Sequence, residues 1–336
     1  MADRMQITII GMGLIGASAG LALRKYQDKV TIVGHDRNLR LAGQAKSMGA
    51  VDRTEWNLIN AVVKADRIVM AVPAGEIRDT LTAMAQDLKN GCVILDLSDV
   101  KTSVLDWAAE LLPPHVSLVG GHPIVVTENL DTSGARADLF AGKLFCLMTD
   151  ARSSDAAVRL ATDLIEAMGG KPFFLDPVEH DGMVAATVHA PTLMAAALME
   201  AAITSPGWAD MRKLAGTQFY ASTLITADDG KAAASACAAN REHTVRWLDR
   251  LIGELDECRD LLAAGEDEKL ADMIERGLEA GRKWLHAQAR GDWEEPVMSA
   301  AEIPSSGSYL GQMIGMGAFR QRGPQPGGRQ PGKPKK

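Results

Sequence analysis

Gln6-Ile7-Thr8-Ile9-Ile10-Gly11-Met12-Gly13-Leu14-Ile15-Gly16 is a short apolar run that closes on a G-x-G-x-x-G, with an alanine- and leucine-rich stretch directly behind it. With 32 glycines in 336 residues, the spacing by itself carries little weight. Its position gives it weight: the run 6–10 reads as a buried strand and 14–26 as a helix, so the glycines sit in a strand–turn–helix. In that context Gly11 permits the tight turn, Gly13 lets the backbone approach a pyrophosphate, and Gly16 lets helix and strand pack closely. The first helical turn, with Leu14 and Ile15, then offers unpaired N–H groups and the positive end of a helix dipole to phosphate.

Outward from this turn, the first half of the chain alternates β-type runs with segments of helical period. Further strands are expected over 30–34, 67–72, 92–96, 116–120, 144–148 and 172–175. Continuous apolar runs without alternation are what strands covered on both faces look like. Strands separated by helices imply βαβ units with right-handed crossovers. The fold class that follows is α/β, a Rossmann-type doubly wound parallel sheet. The second strand leads into Asp36, about 20 residues beyond Gly16, where a carboxylate accepts from ribose hydroxyls and repels a 2′-phosphate. NAD is therefore favoured over NADP, although Arg37 beside it leaves the strictness of that preference open. The segment Ala71-Val72-Pro73 ends the third strand, where the chain would pass near the nicotinamide half.

After about Pro177 the β-type runs stop. Residues 183–204 are rich in alanine, leucine and methionine, and Val245, Leu248, Ile252, Leu255 and Leu262 recur at helical spacing before Gly265. Met273, Ile274, Leu278 and Leu285 repeat the pattern. The change of period divides the chain into a nucleotide-binding domain over 1–176 and an all-helical substrate and dimerisation domain over 177–292. A C-terminal extension, 293–336, follows. Apolar stripes of this density suit a homodimer interface as well as a core. The stretch from about 321, made of Gly, Pro, Gln and basic residues, cannot bury enough surface to offset its chain entropy and is expected to be disordered.

Composition excludes several classes. Hydrophobic residues at 46% and charged residues at 24% are globular proportions, and a net charge of −7 argues against a nucleic-acid-binding surface. The four cysteines, Cys92, Cys146, Cys237 and Cys258, include no Cys-x-x-Cys pair; neither a disulfide framework nor a metal site is expected. Arg24 and Lys25 interrupt the apolar N-terminus before a membrane length builds up, and no other stretch reads as long enough. A cytoplasmic protein without membrane attachment is expected.

Three clusters narrow the chemistry. Gly120-Gly121-His122-Pro123 sets a histidine just past a strand's carboxyl end, where open α/β sheets bind ligands. His180-Asp181 is followed by Ala185 and by His189-Ala190-Pro191. Asp210-Met211-Arg212-Lys213-Leu214-Ala215-Gly216 follows, with Asn240 beyond. With these residues the chain resembles the prephenate/arogenate dehydrogenase family over about residues 5–265. His122 matches the family's loop histidine in a G-x-H-P context. His180 to Pro191 matches H-D-x-x-x-A-x-x-S-H-L-P, and Ala-Asp-Leu-Phe-Ala-Gly at 137–142 also fits. The resemblance implies oxidative decarboxylation of a cyclohexadienyl acid, with hydride passing from C4 to NAD and His122 taking the C4 hydroxyl proton. A neutral imidazole is a suitable base near pH 7, and aromatisation drives the loss of carbon dioxide without a metal. The substrate's carboxylates call for donors, for which His189, Arg212 and Lys213 are the candidates. His180 and Asp181 read as a cap of the second domain's first helix, and Pro191 is expected to kink the helix it interrupts.

The chain departs from the family at three positions. Where the family has D-x-x-S-V-K, this sequence reads Asp96-Leu97-Ser98-Asp99-Val100-Lys101. Asp99 thus stands where the resemblance implies a serine assisting the loop histidine. Either Ser98 or Asp99 caps the following helix, or Asp99 brings a carboxylate to the C4 substituent as a catalytic-site residue. Val188 stands in place of the serine before the helix histidine. Lys213 stands in place of an arginine and cannot form its bidentate fork. A changed substrate shell around an unchanged cofactor shell keeps several substrates open: prephenate, arogenate, or a 4-amino-4-deoxyprephenate whose amine would meet Asp99. A β-hydroxyacid dehydrogenase would want a catalytic lysine on the interdomain helix, and the His-Pro loop speaks against it. A non-catalytic NAD-binding dimer is disfavoured by the intact His122. Helix and tail use up the chain, so no regulatory domain for tyrosine is expected.

Overall fold

The apolar run that opens the chain forms β1 (Met5–Ile10), whose alternate side chains feed two separate cores. The elements continue as α1 (Leu14–Leu23), β2 (Val30–His35), α2 (Leu39–Ser47), β3 (Arg53–Thr54), α3 (Leu58–Val62), β4 (Arg67–Met70) and α4 (Ala74–Met84). They go on through β5 (Val93–Asp96), α5 (Thr102–Leu111), β6 (Ser117–Pro123), β7 (Leu144–Met148), α6 (Asp155–Met168) and β8 (Lys171–Phe174). This computed structural model describes residues 4–126, 131–149, 153–225 and 229–290. The sheet order is β3-β2-β1-β4-β5-β6-β7-β8. Ile7, Ile9, Ile32, Val69, Leu95 and Val119 face one apolar layer, and Ile10, Val33, Ile68, Met70, Ile94 and Leu118 face the other. Strands apolar on both faces are what a sheet clad by helices on both sides requires.

All neighbouring strands run parallel except β6 and β7. The sheet is mostly, not wholly, parallel. Among the described residues the only helical piece between β6 and β7 is a three-residue 3₁₀ turn, Thr132–Gly134, and a parallel neighbour needs a crossover of a dozen or more residues, usually an α-helix. The antiparallel pairing carries β6 three residues past the row where it leaves β5. His122 is therefore a strand residue opposite Cys146, not the loop residue the sequence implies. The two-residue β3, seated on β2, has no sequence signal of its own.

The rows of the sheet decide where function can gather. Ile10 is level with His35 and Met70, Met70 with Asp96, and Asp96 with Gly120. Segments 11–16, 71–73, 97–101 and 121–123 therefore all emerge at one carboxyl edge.

The remaining chain forms α7 (Pro177–Val184), a π-helical turn (Ala185–His189), α8 (Ala190–Ile203), α9 (Trp208–Leu214), α10 (Thr217–Thr223), α11 (Gly230–Ala239), α12 (Arg241–Ala264) and α13 (Asp267–Arg290). The distortion expected at Pro191 takes the form of that π turn. Proline lacks the N–H and its ring crowds the carbonyl four residues back. The widened turn accommodates it, with the Ala190 N–H reaching back to the Ala185 carbonyl. Asp176, not His180 or Asp181, caps α7: its carboxylate accepts from the Val178 and Glu179 amides, with Pro177 in the first helical turn.

Contrary to the sequence reading, one helix among the described residues is long and apolar enough to cross a membrane, Pro177–Ile203, of 27 residues and mean hydropathy 1.4. Its polar residues His180, Asp181 and His189 are buried and bonded to other parts of the fold. Met194, Leu198 and Ile203 on α8, and Val245, Ile252, Leu255 and Leu262 on α12, are exposed apolar side chains.

Residues Met1–Leu270 form one compact unit and a second begins at Ala271. Within the latter, Ile274, Leu278, Trp284 and Leu285 of α13 are exposed. The extension expected over 293–336, with its disorder from about 321, lies outside the described residues.

Candidate active site

At the glycine turn, Gly11 has φ 91°, a left-handed conformation that disfavours any side chain. A Cβ there would run into the Ala71 carbonyl, and one on Gly16 into the Gly11 carbonyl. A Cβ on Gly13, in contrast, would meet nothing within 4 Å. Gly13 is the N-cap of α1 and makes no side-chain cap bond. The first-turn amides thus open onto space that a bulkier residue would fill, which is the cradle a pyrophosphate needs. Leu14 is buried in the core and Ile15 half-buried against it, so their contribution is through the backbone.

Asp36 stands at the end of β2. One carboxylate oxygen accepts from the Met12 amide at 2.7 Å and the other from the Asn38 amide at 2.7 Å. It braces the glycine turn and keeps lone pairs for ribose hydroxyls. Arg37, exposed, is held by Glu76 at 2.6 Å. Val72 packs partly against the core, and Pro73 starts α4 at the same edge. These residues fit a dinucleotide.

Beside this cradle lies a polar cluster. Lys101 and Asp96 form an ion pair with no exposed side-chain surface, and Ser98 Oγ is 2.9 Å from Asp96 and 3.1 Å from Lys101 Nζ. Gly120 makes room for it: a Cβ there would press on Lys101 Cδ. Neither Ser98 nor Asp99 caps α5. The amides of Lys101 and Thr102 donate to the Asp181 carboxylate instead, each at 2.8 Å. A carboxylate from α7 closes the N-terminus of a helix 79 residues earlier.

His122 Nδ1 lies 2.9 Å from His180 Nε2, and His180 Nδ1 lies 3.0 Å from Asp181 Oδ1. His122 Nε2 has no partner among the described residues. Burial, then the neighbouring His180 and Lys101, push the His122 imidazole down from 6.5 to about 3, against the opposing pull of Asp99 and Asp181. It is neutral at physiological pH. Burial pushes the Asp181 carboxyl up, but the bonds from His180 and from the Thr102 and Lys101 amides outweigh it and hold the group below its usual range.

His189, in the π turn, has Nδ1 3.2 Å from Thr244 Oγ1. Asn240 Nδ2 lies 3.4 Å from the same nitrogen, and the Thr244 hydroxyl donates to the Asn240 carbonyl. His189 Nε2, buried and without a hydrogen-bond partner among the described residues, faces the Asp99 carboxylate at 3.5 Å. Burial raises the Asp99 carboxyl, yet the neighbouring His189 and His122 imidazoles bring it below the usual range. Asn240 donates to the Asp181 carbonyl at 2.7 Å. One patch thus joins β6, α7, the π turn, α12 and the segment before α5.

The structure brings together His122, Asp99 and His189 of the candidates. Arg212 and Lys213 are exposed on α9, Lys213 paired with Asp210 at 2.7 Å, and neither is bonded to the histidine cluster. Sequence reasoning missed the buried Lys101–Asp96 pair and the engagement of His180–Asp181. The signal for the latter was Asp176-Pro177-x-Glu179, a stronger helix start than His180-Asp181. Among the described residues no group of three or more metal-ligating side chains occurs.

Residues 19–173 match the family model described as prephenate dehydrogenase, nucleotide-binding domain, and residues 176–276 match prephenate dehydrogenase, dimerization domain. The chain is 27% identical over 276 residues to a cyclohexadienyl dehydrogenase of Zymomonas mobilis, covering 82% of this chain and 94% of that one. It is 25% identical over 272 residues to a prephenate dehydrogenase of Bacillus subtilis, covering 80% and 73%. Among solved structures it is similar to prephenate dehydrogenase from Aquifex aeolicus in complex with hydroxyphenyl propionate and NAD+. The TM-score is 0.75 at 22% identity, over 84% of this chain and 99% of that one.

Proposed function

The chain belongs to the prephenate dehydrogenase family, and on that premise we propose that it carries out the NAD-dependent oxidative decarboxylation of prephenate or a close cyclohexadienyl relative, in tyrosine-type biosynthesis in the cytoplasm. NAD supplies the hydride acceptor when bound. Gly11, Gly13 and Gly16, the Leu14 and Ile15 amides, Asp36 and the Val72-Pro73 segment are the residues that hold it. His122 takes, at Nε2, the proton that the C4 hydroxyl gives up as hydride leaves C4. A strong base is not needed, because the C4 oxygen is by then becoming that of a protonated carbonyl. His189 and the cations of α9, Arg212 and Lys213, are the candidates for the substrate's carboxylates. The observation that carries this reading is a neutral imidazole with Nδ1 engaged and Nε2 without a partner among the described residues, on the same sheet edge as the glycine cradle. NADH formation by the purified protein, offered prephenate, arogenate and 4-amino-4-deoxyprephenate in turn, tests it. No reduction with any of the three would overturn it.

One observation favours a second reading. Asp99 is 29% exposed and its carboxylate lies at His189, where an ammonium at C4 would find an ionised partner. An amino-substituted substrate is the outcome that this geometry favours over a C4 alcohol. Asp99→Ser should then move activity toward prephenate. An unchanged substrate preference would remove the reading.

The exposed apolar side chains of α8 and α12 support a homodimer through the helical part. Sedimentation at micromolar concentration checks it, and a monomer would count against it.

A further inference from the structure

We propose that His180 and Asp181 are positioning residues for His122, a carboxylate–imidazole–imidazole relay that fixes the proton of the neutral base on Nδ1 and so presents the bare Nε2 to substrate. The inference rests on the reading of His122 as the base and adds to it how that base is set.

Donor and acceptor capacity sets the tautomers. The Asp181 carboxylate is ionised and can only accept. It already takes the Lys101 and Thr102 amides at 2.8 Å each. The third contact, from His180 Nδ1 at 3.0 Å, must therefore be an N–H donor. A neutral His180 protonated at Nδ1 has its lone pair on Nε2. His122 Nδ1, 2.9 Å from that nitrogen, must then be the donor of its pair. The rings meet edge-on, with centroids 5.1 Å apart and planes at 83°, which aims an in-plane N–H of one ring toward the other. His122 is left with its lone pair on Nε2, the atom that has no partner among the described residues.

Each member of the relay is held. His180 and Asp181 are 2% and 1% exposed. The Asn240 amide fixes the Asp181 backbone carbonyl at 2.7 Å, and the N-terminus of α5 fixes its carboxylate. When His122 Nε2 accepts the substrate proton, the positive charge is shared along the Nδ1–H to His180 and stabilised by the Asp181 charge. The groups facing His122 are His180 and Asp181 from α7, and Lys101 and Asp99 from the segment before α5. Lys101 opposes the imidazolium and the two carboxylates favour it.

The test uses the full chain with NAD bound. Long-range 15N–1H spectra of histidine-labelled protein, with His122 and His180 assigned through His122→Asn and His180→Leu, should show His122 protonated at Nδ1 and bare at Nε2. Turnover is then measured for His180→Leu, which removes the acceptor, and His180→Gln, whose amide oxygen can replace it. His180→Leu should lower kcat on the order of 10²–10⁴-fold, as a mis-set tautomer does in serine hydrolases. It should leave KM and NAD affinity within about threefold, and His180→Gln should recover part of the loss. A proton found on His122 Nε2 in the unmodified protein overturns the relay, as does a His180→Leu enzyme with unchanged kcat. If the unmodified protein turned over no cyclohexadienyl substrate, the functional reading would fail instead, and the spectra would still decide the tautomer.

Discussion

His122→Asn is the perturbation that separates chemistry from architecture. An asparagine amide nitrogen falls near the place of imidazole Nδ1 and can still donate to His180 Nε2, a bond of 2.9 Å in the native protein. What the exchange deletes is Nε2 and nothing that the glycine cradle, Asp36 or the helical part depends on. NAD affinity should therefore stay within a factor of about two to three. Turnover should fall by the contribution of a positioned general base, on the order of 10²–10⁴-fold. At about 1.36 kcal/mol per decade this is a rise of about 3–5 kcal/mol in the barrier. Because the native imidazole stays neutral down to about pH 3, the loss should be the same at pH 6 and pH 8. The assay follows NADH formation at saturating substrate, with NAD binding measured by titration of the same preparations. Turnover within tenfold of native, at unchanged NAD affinity, would refute the reasoning and leave His122 as a packing residue.

Stability should carry the same signature. The His122 pKa is depressed from 6.5 to about 3 in the folded protein, so as pH falls below 6.5 the unfolded chain takes up this proton first. Stability from this residue is thus complete above pH 6.5 and lost progressively toward pH 3. Urea melts at pH 7 and pH 4.5 should show a larger loss for the native protein than for His122→Asn, and equal losses would contradict the burial argument. Lys101→Met leaves Asp96 buried and unpaired and should cost about 3–5 kcal/mol in urea unfolding, most of it recovered by adding Asp96→Asn; a single-variant cost under about 1 kcal/mol would contradict the pairing. Asp36→Ala removes both the charge against a 2′-phosphate and the brace on the Met12 amide. The ratio of NADP to NAD dissociation constants should fall toward unity, and tighter NADP binding by the unmodified protein would reverse the reading.

The strand–turn–helix at 6–16, the two-faced apolar strands, the change of period after Pro177 and the carboxylate at Asp36 were all legible in the sequence. Each depends on periodicity or on a spacing of a few residues, which local sterics and burial impose directly on the chain. His122 was legible as well, because a histidine at a strand's carboxyl end is a local statement. Its being inside the strand was not: β6 extends because β7 pairs with it, and pairing belongs to the partner as much as to the strand. The tertiary structure alone decided the rest. His122 meets His180 across 58 residues, and the Lys101 amide meets Asp181 across 80. The cap of α5 is borrowed from another helix, so the local candidates Ser98 and Asp99 were left free for a buried ion-pair network and for His189. Asp181 looks in sequence like one more polar residue at a helix start. Only the fold brings an α5 N-terminus and an imidazole to the same carboxylate, because hydrogen bonds are satisfied by proximity in space and leave no period in the chain.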